Sequence, residues 1–509
     1  MDPEKQLNSK ADSALEISSS IDDPTAAAYT ETNKFARWIN NVGRSLNAEI
    51  RGIERITEEE RTDSNCWTAA SMWFGSNMVV ATVALGALGI TVFGLSFWPA
   101  FLTIIFFNLL GSLAPTFFST FGPAFGLRQM VLSRYWFGYF GVRVCAFINI
   151  IACIGWTAVN TIVSAQMLHV VNNGKLPPWG GVLIISILTI CITFFGYTVV
   201  HMFEKYVWIP NVVMFLILAI QMGRSHQFTY GTMGTGTTEA GKVLSFGATV
   251  FGFATGWTSY AADYTVYMKK ETSKVRLFFA VLAGLNTPLN ICMILGAACA
   301  TGTLTNETWA ANYEDNSIGG LFYSILVENS LHGFGQFCMV ILALSTISNN
   351  IPNLYSLGLS AQTLWSQFIK IPRIAWTIFG GGVSIAIAIP AYIYFEQVIE
   401  NFMNLIGYWL AIYTAIGISE HFFYKKGYAN YDVAIYDEPK MLPVGFAALL
   451  AFSFGIAGVV VGMSQVWWTG PLAKMIGETG GDIGFELAFG FSFVIFNIVR
   501  PFELKHFKR

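Results

Sequence analysis

The sequence predicts an all-α polytopic membrane protein of twelve transmembrane helices. Of its 509 residues, 54% are hydrophobic and only 12% charged. That charged share is about half that of an ordinary soluble domain. Mean hydropathy is positive. Apolar runs of about 20 residues recur along the chain, the length a helix rising ~1.5 Å per residue needs to cross a ~30 Å core. β-Barrel strands are much shorter and alternate in polarity.

Residues 1–65 are polar and contain no apolar core segment, so they read as a cytoplasmic tail without a signal peptide. The part up to about Asn33 is acidic and rich in small residues, the composition of a disordered segment. Residues 34–63 carry Arg37, Arg44, Arg51, Arg55 and Arg61 and read as helical, a collar on anionic lipid. The twelve spans then fall at about 67–95, 97–121, 141–170, 180–201, 204–222, 244–267, 276–301, 333–362, 373–394, 397–423, 443–464 and 483–502. They form a transporter domain over 66–502, followed by a cytoplasmic tail over 503–509. Its first repeat covers about 67–222 and its second about 244–423, with two further helices over 443–502. The loop at 302–332 is acidic and carries the sequon Asn306-Glu307-Thr308; Ser317–Leu331 alternates at helical spacing, as a short lid helix would.

Basic residues set the orientation. Loops on one side hold Arg128, Arg134 and Arg143; Lys205; Lys269, Lys270, Lys274 and Arg276; Lys370 and Arg373; and Lys425, Lys426 and Lys440. Both tails add more. The opposite loops hold only Lys175, Arg224, Lys242 and Lys474. The richer side is the cytoplasmic one, so both termini lie there.

Several functions are excluded. Net charge is −2 and no basic arm is present, so a nucleic-acid partner is not expected. There is no HExxH, Gly-x-Ser-x-Gly or Walker pattern, which argues against an enzyme. No continuous charged path marks a channel. The seven cysteines form no CxxC pair and nearly all lie in apolar spans, as buried small hydrophobes rather than disulfides or metal ligands. No metal or cofactor is implied.

Two spans look interrupted. Span 1 contains Phe74-Gly75-Ser76-Asn77, then Gly86 and Gly89; span 6 contains Phe246-Gly247 and Phe251-Gly252-Phe253-Ala254-Thr255-Gly256-Trp257. They are five spans apart, so each opens a five-helix unit, the pattern of an inverted-repeat transporter. The alternative is that the glycines only let helices pack closely. Span 8 carries Ser348-Asn349-Asn350-Ile351-Pro352-Asn353, three amides and a proline in apolar surroundings. Polar groups at that depth must face a site or a water path. In span 3, Trp156 and Asn160 are four apart and share a face. Broken spans 1 and 6 beside spans 3 and 8 give a midplane pocket in the LeuT-like 5+5 arrangement. Its candidate lining is Asn77, Thr82, Trp156, Asn160, Trp257, Asn349, Asn350 and Asn353. Indoles stack on a flat ring, and amides match the donor–acceptor edge of a nucleobase. With no Arg or Lys at this depth, phosphates and carboxylates are poorly served. Packing indoles and an interhelical Asn160 link are the structural alternatives.

These residues resemble the fungal purine–cytosine permeases, within nucleobase–cation symporter family 1. The resemblance runs from about Ser45 to the C-terminus. It rests on Phe253–Trp257 with Ala262-Asp263-Tyr264-Thr265-Val266-Tyr267, on Gly155-Trp156 with Asn160, and on Ser348–Asn353. It implies proton-coupled uptake of cytosine, adenine, guanine, hypoxanthine and 5-fluorocytosine at the plasma membrane. It also implies substrate recognition by Trp156, Asn160, Trp257, Asn349, Asn350, Pro352 and Asn353. In span 1 the matching contact is one of Ser76, Asn77 and Thr82. The alternative is a same-fold symporter for another ring compound such as pyridoxine or allantoin.

For coupling, Asp263 is the clearest intramembrane carboxylate, about six residues beyond Trp257, and is the proton candidate. An ion pair with a base such as Lys269 is its structural alternative. A sodium site of Ser345, Thr346 and Ser348 with span 1 carbonyls is the rival. Glu420 and His421, ending span 10, read as interfacial.

Overall fold

The structure, a computed structural model, describes residues 52–194 and 197–509, without the side chains of 194–205, 329 and 366. The expected disordered tail and most of the expected collar lie outside the described residues.

Sixteen α-helices carry the fold among the described residues. Span 1 is a bent pair, α1 (Cys66–Asn77) and α2 (Val80–Thr91), meeting at 57°. The side chain of Asn65 caps α1 by accepting from Trp67 N. α3 (Phe97–Ser119) is span 2; the short α4 (Phe121–Phe125) and α5 (Gln129–Leu132) turn the chain into α6 (Arg134–Val171), span 3. α7 (Pro178–Phe194) and α8 (Tyr197–Ser225) are spans 4 and 5. The helix of span 5 begins at Tyr197, ahead of its apolar stretch Tyr206–Ser225. α9 (Gly236–Thr255) runs directly into a 3-10 helix, Gly256–Tyr264, to make span 6. α10 (Lys274–Ala300) is span 7, and α11 (Glu307–Leu326) is the helix of the expected lid. α12 (Gly333–Leu364), α13 (Arg373–Ala391) and α14 (Phe395–Ser419) are spans 8 to 10. α15 (Phe446–Gly462) and α16 (Gly484–Phe507) follow. A two-stranded hairpin, Ser464–Gln465 with Trp468–Thr469, joins them.

Among the described residues, by length and composition, seven helical stretches can cross a membrane, eight with the bent pair, and Pro178–Thr193 and Phe446–Gly462 are apolar but shorter. One of the seven, Arg373–Tyr424, has 52 residues. At ~1.5 Å each that far exceeds one crossing, and the run is divided by the 3-10 turn Tyr392–Tyr394 into α13 and α14.

The packing divides eight of the first nine spans into two groups, with span 5 touching both. α10 packs on α1, α2 and α3, and α3 on α9. α6 packs on α12, α7 and α13, which also pack on one another. One group thus holds spans 1, 2, 6 and 7, and the other spans 3, 4, 8 and 9. Gly86 lies inside continuous α2, where a Cβ would strike the Met293 carbonyl of α10. Gly86 is therefore a close-packing residue, not part of the break.

Three expectations change. Residues 52–65 form an extended strap, not a helix. Arg61, 2% exposed, donates to the carbonyls of Ile56, Pro123 and Phe125, and Asp63 bridges Met268 beyond span 6. Bonds to distant segments replace the helical ladder there. The lid helix is longer than Ser317–Leu331; it starts at Glu307, capped by Asn306, and kinks at Asn316 and Ser317. Glu420 and His421 are buried rather than interfacial: Arg500 of α16 donates to both Glu420 carboxylate oxygens at 2.9 Å, a bidentate pairing that makes burial of the charges tolerable.

Candidate substrate site at the broken spans

Span 1 breaks at Met78 and Val79, between α1 and α2. Neither residue is a helix breaker. The break is held because other spans satisfy the backbone groups it releases, as buried peptide groups require. Asn349 Nδ2 donates to Ser76 O at 2.6 Å and Ser348 Oγ to Gly75 O at 3.2 Å. Asn211 Nδ2, from α8, donates to Met78 O at 3.0 Å. Ser345 Oγ accepts from Val80 N at 3.0 Å. Thr82 Oγ1 donates to Asn77 O at 2.8 Å.

Span 6 has no gap. Its α-helix tightens into the 3-10 helix at Gly256, beneath the Trp156 indole. A Cβ on Gly256 would lie 2.6 Å from Trp156 Cζ2, so only glycine allows this approach. One residue on, Trp257 Nε1 donates to Asn77 Oδ1 at 3.0 Å, joining the two broken spans. Asn77 Nδ2 donates to Trp73 O at 2.8 Å. Trp73 meets Trp257 edge-on, with ring centroids 5.1 Å apart.

The amides of spans 3 and 8 form one network. Asn160 Nδ2 donates to Asn349 Oδ1 at 2.7 Å and Asn350 Oδ1 at 2.9 Å. Asn350 Nδ2 donates to Thr161 Oγ1 at 3.3 Å. Asn353 Nδ2 donates to Asn349 O at 2.8 Å, and its Oδ1 accepts from Tyr260 OH at 2.7 Å. Pro352 lies within continuous α12, where it lacks the N–H that would pair with Ser348 O.

The structure thus gathers Asn77, Thr82, Trp156, Asn160, Trp257, Asn349, Asn350, Pro352 and Asn353 around the two breaks. Trp156 and Trp257 are 4% exposed, and the polar members among the rest are fully buried. Each span 8 amide already has protein partners. Two polar atoms on one face of α6 have none: the Trp156 Nε1 donor and the Asn160 Oδ1 acceptor. On α1, Trp73 Nε1 and Ser76 Oγ are likewise unpartnered. A buried donor and a buried acceptor left without partners are costly unless a ligand pairs them.

Asp263 Oδ1 accepts from Gln129 N at 2.7 Å, and its backbone carbonyl accepts from Arg128 Nη1 at 2.9 Å. The basic residue beside it is thus Arg128, just before α5, in the place where the structural alternative had Lys269. The hydroxyls of Ser345, Thr346 and Ser348 bond to Leu342 O, to Ser164 Oγ and to Gly75 O and Ser345 O. An outer cleft lined by His169, Asn173, Asn312, Asn316, Tyr323 and Glu328 lies at the far end of α6, remote from Trp156.

Sequence reading did not find Asn149, Asn211, Ser259, Tyr260 or Trp73. The amide Asn211 in apolar α8 was a usable signal. For the others, only their partners in space distinguish them from ordinary span residues.

The family of permeases for cytosine/purines, uracil, thiamine and allantoin matches residues 55–484. The chain belongs to this family. It is 52% identical over 483 residues to the purine-cytosine permease FCY2 of Saccharomyces cerevisiae, covering 94% of this chain and 90% of that protein. It is 50% identical over 472 residues to the purine-cytosine permease fcyB of Emericella nidulans, covering 92% of each. Among solved structures it resembles Mhp1, a nucleobase-cation-symport-1 family transporter in a closed conformation with bromovinylhydantoin bound. There the TM-score is 0.64 at 16% identity, over 90% of this chain and 96% of that one. At that identity the likeness concerns the fold, which is LeuT-like. This permease is a multi-pass membrane transporter and not an enzyme.

Proposed function

We propose that this permease is a proton-coupled symporter that carries cytosine, adenine, guanine, hypoxanthine and 5-fluorocytosine into the cell. It acts at the plasma membrane with both termini in the cytoplasm. One observation carries the reading: the unpaired Trp156 Nε1 donor and, one helical turn on along α6, the unpaired Asn160 Oδ1 acceptor, both buried at the junction of the broken spans. Nucleobases present adjacent acceptor and donor atoms on a flat ring and need no counter-charge. The indoles of Trp156 and Trp257 supply ring faces. Asn349 and Asn350 orient Asn160, Asn349 also holds the break in span 1, and Asn353 steadies Asn349. Two relatives near 50% identity named as purine-cytosine permeases support this substrate class over pyridoxine or allantoin. Asp263 carries the coupling proton, and the engaged hydroxyls of Ser345 and Ser348 speak against a sodium ion at span 8.

The test is uptake of radiolabelled cytosine in cells lacking nucleobase transport, with unlabelled competitors, at several pH values, with and without sodium. Saturable uptake that purines inhibit and low external pH stimulates is expected. No saturable uptake at good surface expression sinks the substrate reading, and sodium-dependent uptake indifferent to pH sinks the proton. Asn350→Ala and Asn353→Ala should abolish uptake without loss from the surface.

A further inference from the structure

The inner half of span 6 meets the opposite helix group through two consecutive hydroxyls. Ser259 Oγ donates to Asn149 Oδ1 of α6 at 2.6 Å. Tyr260 OH donates to Asn353 Oδ1 of α12 at 2.7 Å. Both acceptors are built alike. Asn149 has its other end committed within its own group, Nδ2 donating to Ser360 Oγ at 2.8 Å and Ser356 Oγ at 3.3 Å. Asn353 Nδ2 is likewise committed to Asn349 O. Each asparagine therefore presents a fixed amide oxygen, and the 3-10 segment supplies the donors. All four residues are at most 2% exposed. Asn149 lies eleven residues before Asn160 on α6, about 16 Å toward the cytoplasmic end. The 3-10 segment itself departs from helical geometry at Tyr260, with φ −143° and ψ 19°, and 3-10 stretches within a span often mark hinges.

We propose that Ser259 and Tyr260 are positioning residues that form an inner latch. Their hydroxyls dock the 3-10 half of span 6 onto spans 3 and 8 and keep the substrate site closed to the cytoplasm. Opening inward requires both bonds to part. Because Tyr260 docks on Asn353, itself bonded to Asn349, the state of the latch is passed directly to the amide network of the site. The inference depends on the chain being a transporter that opens to both sides, not on which base it carries.

A native reporter lies in the seam. Cys153 is one helical turn from Asn149 on α6, fully buried, and so shielded from reagents while the latch is shut. The experiment compares wild type, Ser259→Ala, Tyr260→Phe and the double variant in inside-out vesicles. Cys153 is alkylated with a membrane-impermeant maleimide and read by mass spectrometry, with thermal stability measured in parallel. The double variant is expected to label at Cys153 at least five times faster than wild type, the single variants in between, with Cys299 on α10 unchanged. Where cytosine is transported, its external KM should rise several-fold in Tyr260→Phe while the maximal rate does not fall. Wild-type labelling at Cys153 in a folded double variant overturns the latch. So does faster labelling at Cys153 and Cys299 alike, which reports general loosening. If the double variant does not fold, Ser259→Ala, which removes a single hydroxyl, decides by the same criterion. Labelling needs no substrate, so its failure leaves the nucleobase reading standing, and absence of cytosine uptake leaves the latch test valid.

Discussion

The two broken spans are interrupted in different ways. In span 1 the polypeptide itself comes apart, and spans 5 and 8 take up its loose backbone groups: Ser76 O, Gly75 O, Met78 O and Val80 N are all bonded by side chains from elsewhere. In span 6 the chain has no gap; it tightens to a 3-10 form with a single non-helical residue, Tyr260, and side-chain hydroxyls make the outward ties. A clasped backbone is a fixed bend, because releasing it strands buried peptide groups. Hydroxyl ties leave the helix intact when they part. Span 1 is therefore the static wall of the site and inner span 6 the part able to leave.

The largest expected effect comes from opening the clasp. Asn349→Leu leaves Ser76 O unpaired and withdraws one acceptor from Asn160 Nδ2. At about 1–3 kcal/mol for each stranded buried group, uptake should vanish and the melting temperature of the purified permease should drop by several degrees. Wild-type uptake in this variant would show that the bend does not need its clasp. Asp263→Asn comes next. It should remove the stimulation of cytosine uptake by acid, bringing the ratio of initial rates at pH 5 and pH 7.5 to about one, with cytosine binding retained. A preserved acid response would move the proton elsewhere. Trp156→Phe keeps a ring and removes one donor, for about a tenfold rise in KM, the effect of one hydrogen bond of ordinary strength. An unchanged KM would remove the indole N–H from recognition.

The smallest effect concerns the strap, which also ties the loop after span 6. Lys270 donates to Glu58 at 2.9 Å and holds that carboxyl below its usual range. With the folded value depressed, the contribution is present above the unfolded value and lost as pH falls through the folded one, that is, in acid below about pH 4.5. The pair is exposed, so it is weak. Glu58→Gln should shift the melting temperature by no more than about 1 °C at pH 7, and less still in acid. A larger shift would make the strap a main fastening of inner span 6.

The sequence shows the spans because each is a long apolar run, and it points to a candidate site because amides such as Asn349 and Asn350 are out of place in such runs. The position of the first break is hidden, since Met78 and Val79 have no local reason to break a helix; the reason lies in Ser345 and Asn211, far along the chain. Gly86 misleads for a related cause: a glycine that admits a neighbouring backbone looks the same in sequence as one that unwinds its own. Ser259 and Tyr260 are equally silent, because a hydroxyl in a span gains meaning only from the amide it faces.

The 3-10 form of inner span 6 has a geometric result. Six residues separate Trp257 from Asp263. An α-helix would place them about 9 Å apart along the axis, and the larger rise of the 3-10 turns on either side of Tyr260, ~2.0 Å per residue, lengthens that. A base resting against Trp257 and a proton on Asp263 would be too far apart to touch, so each must sense the other through movement of the segment they share.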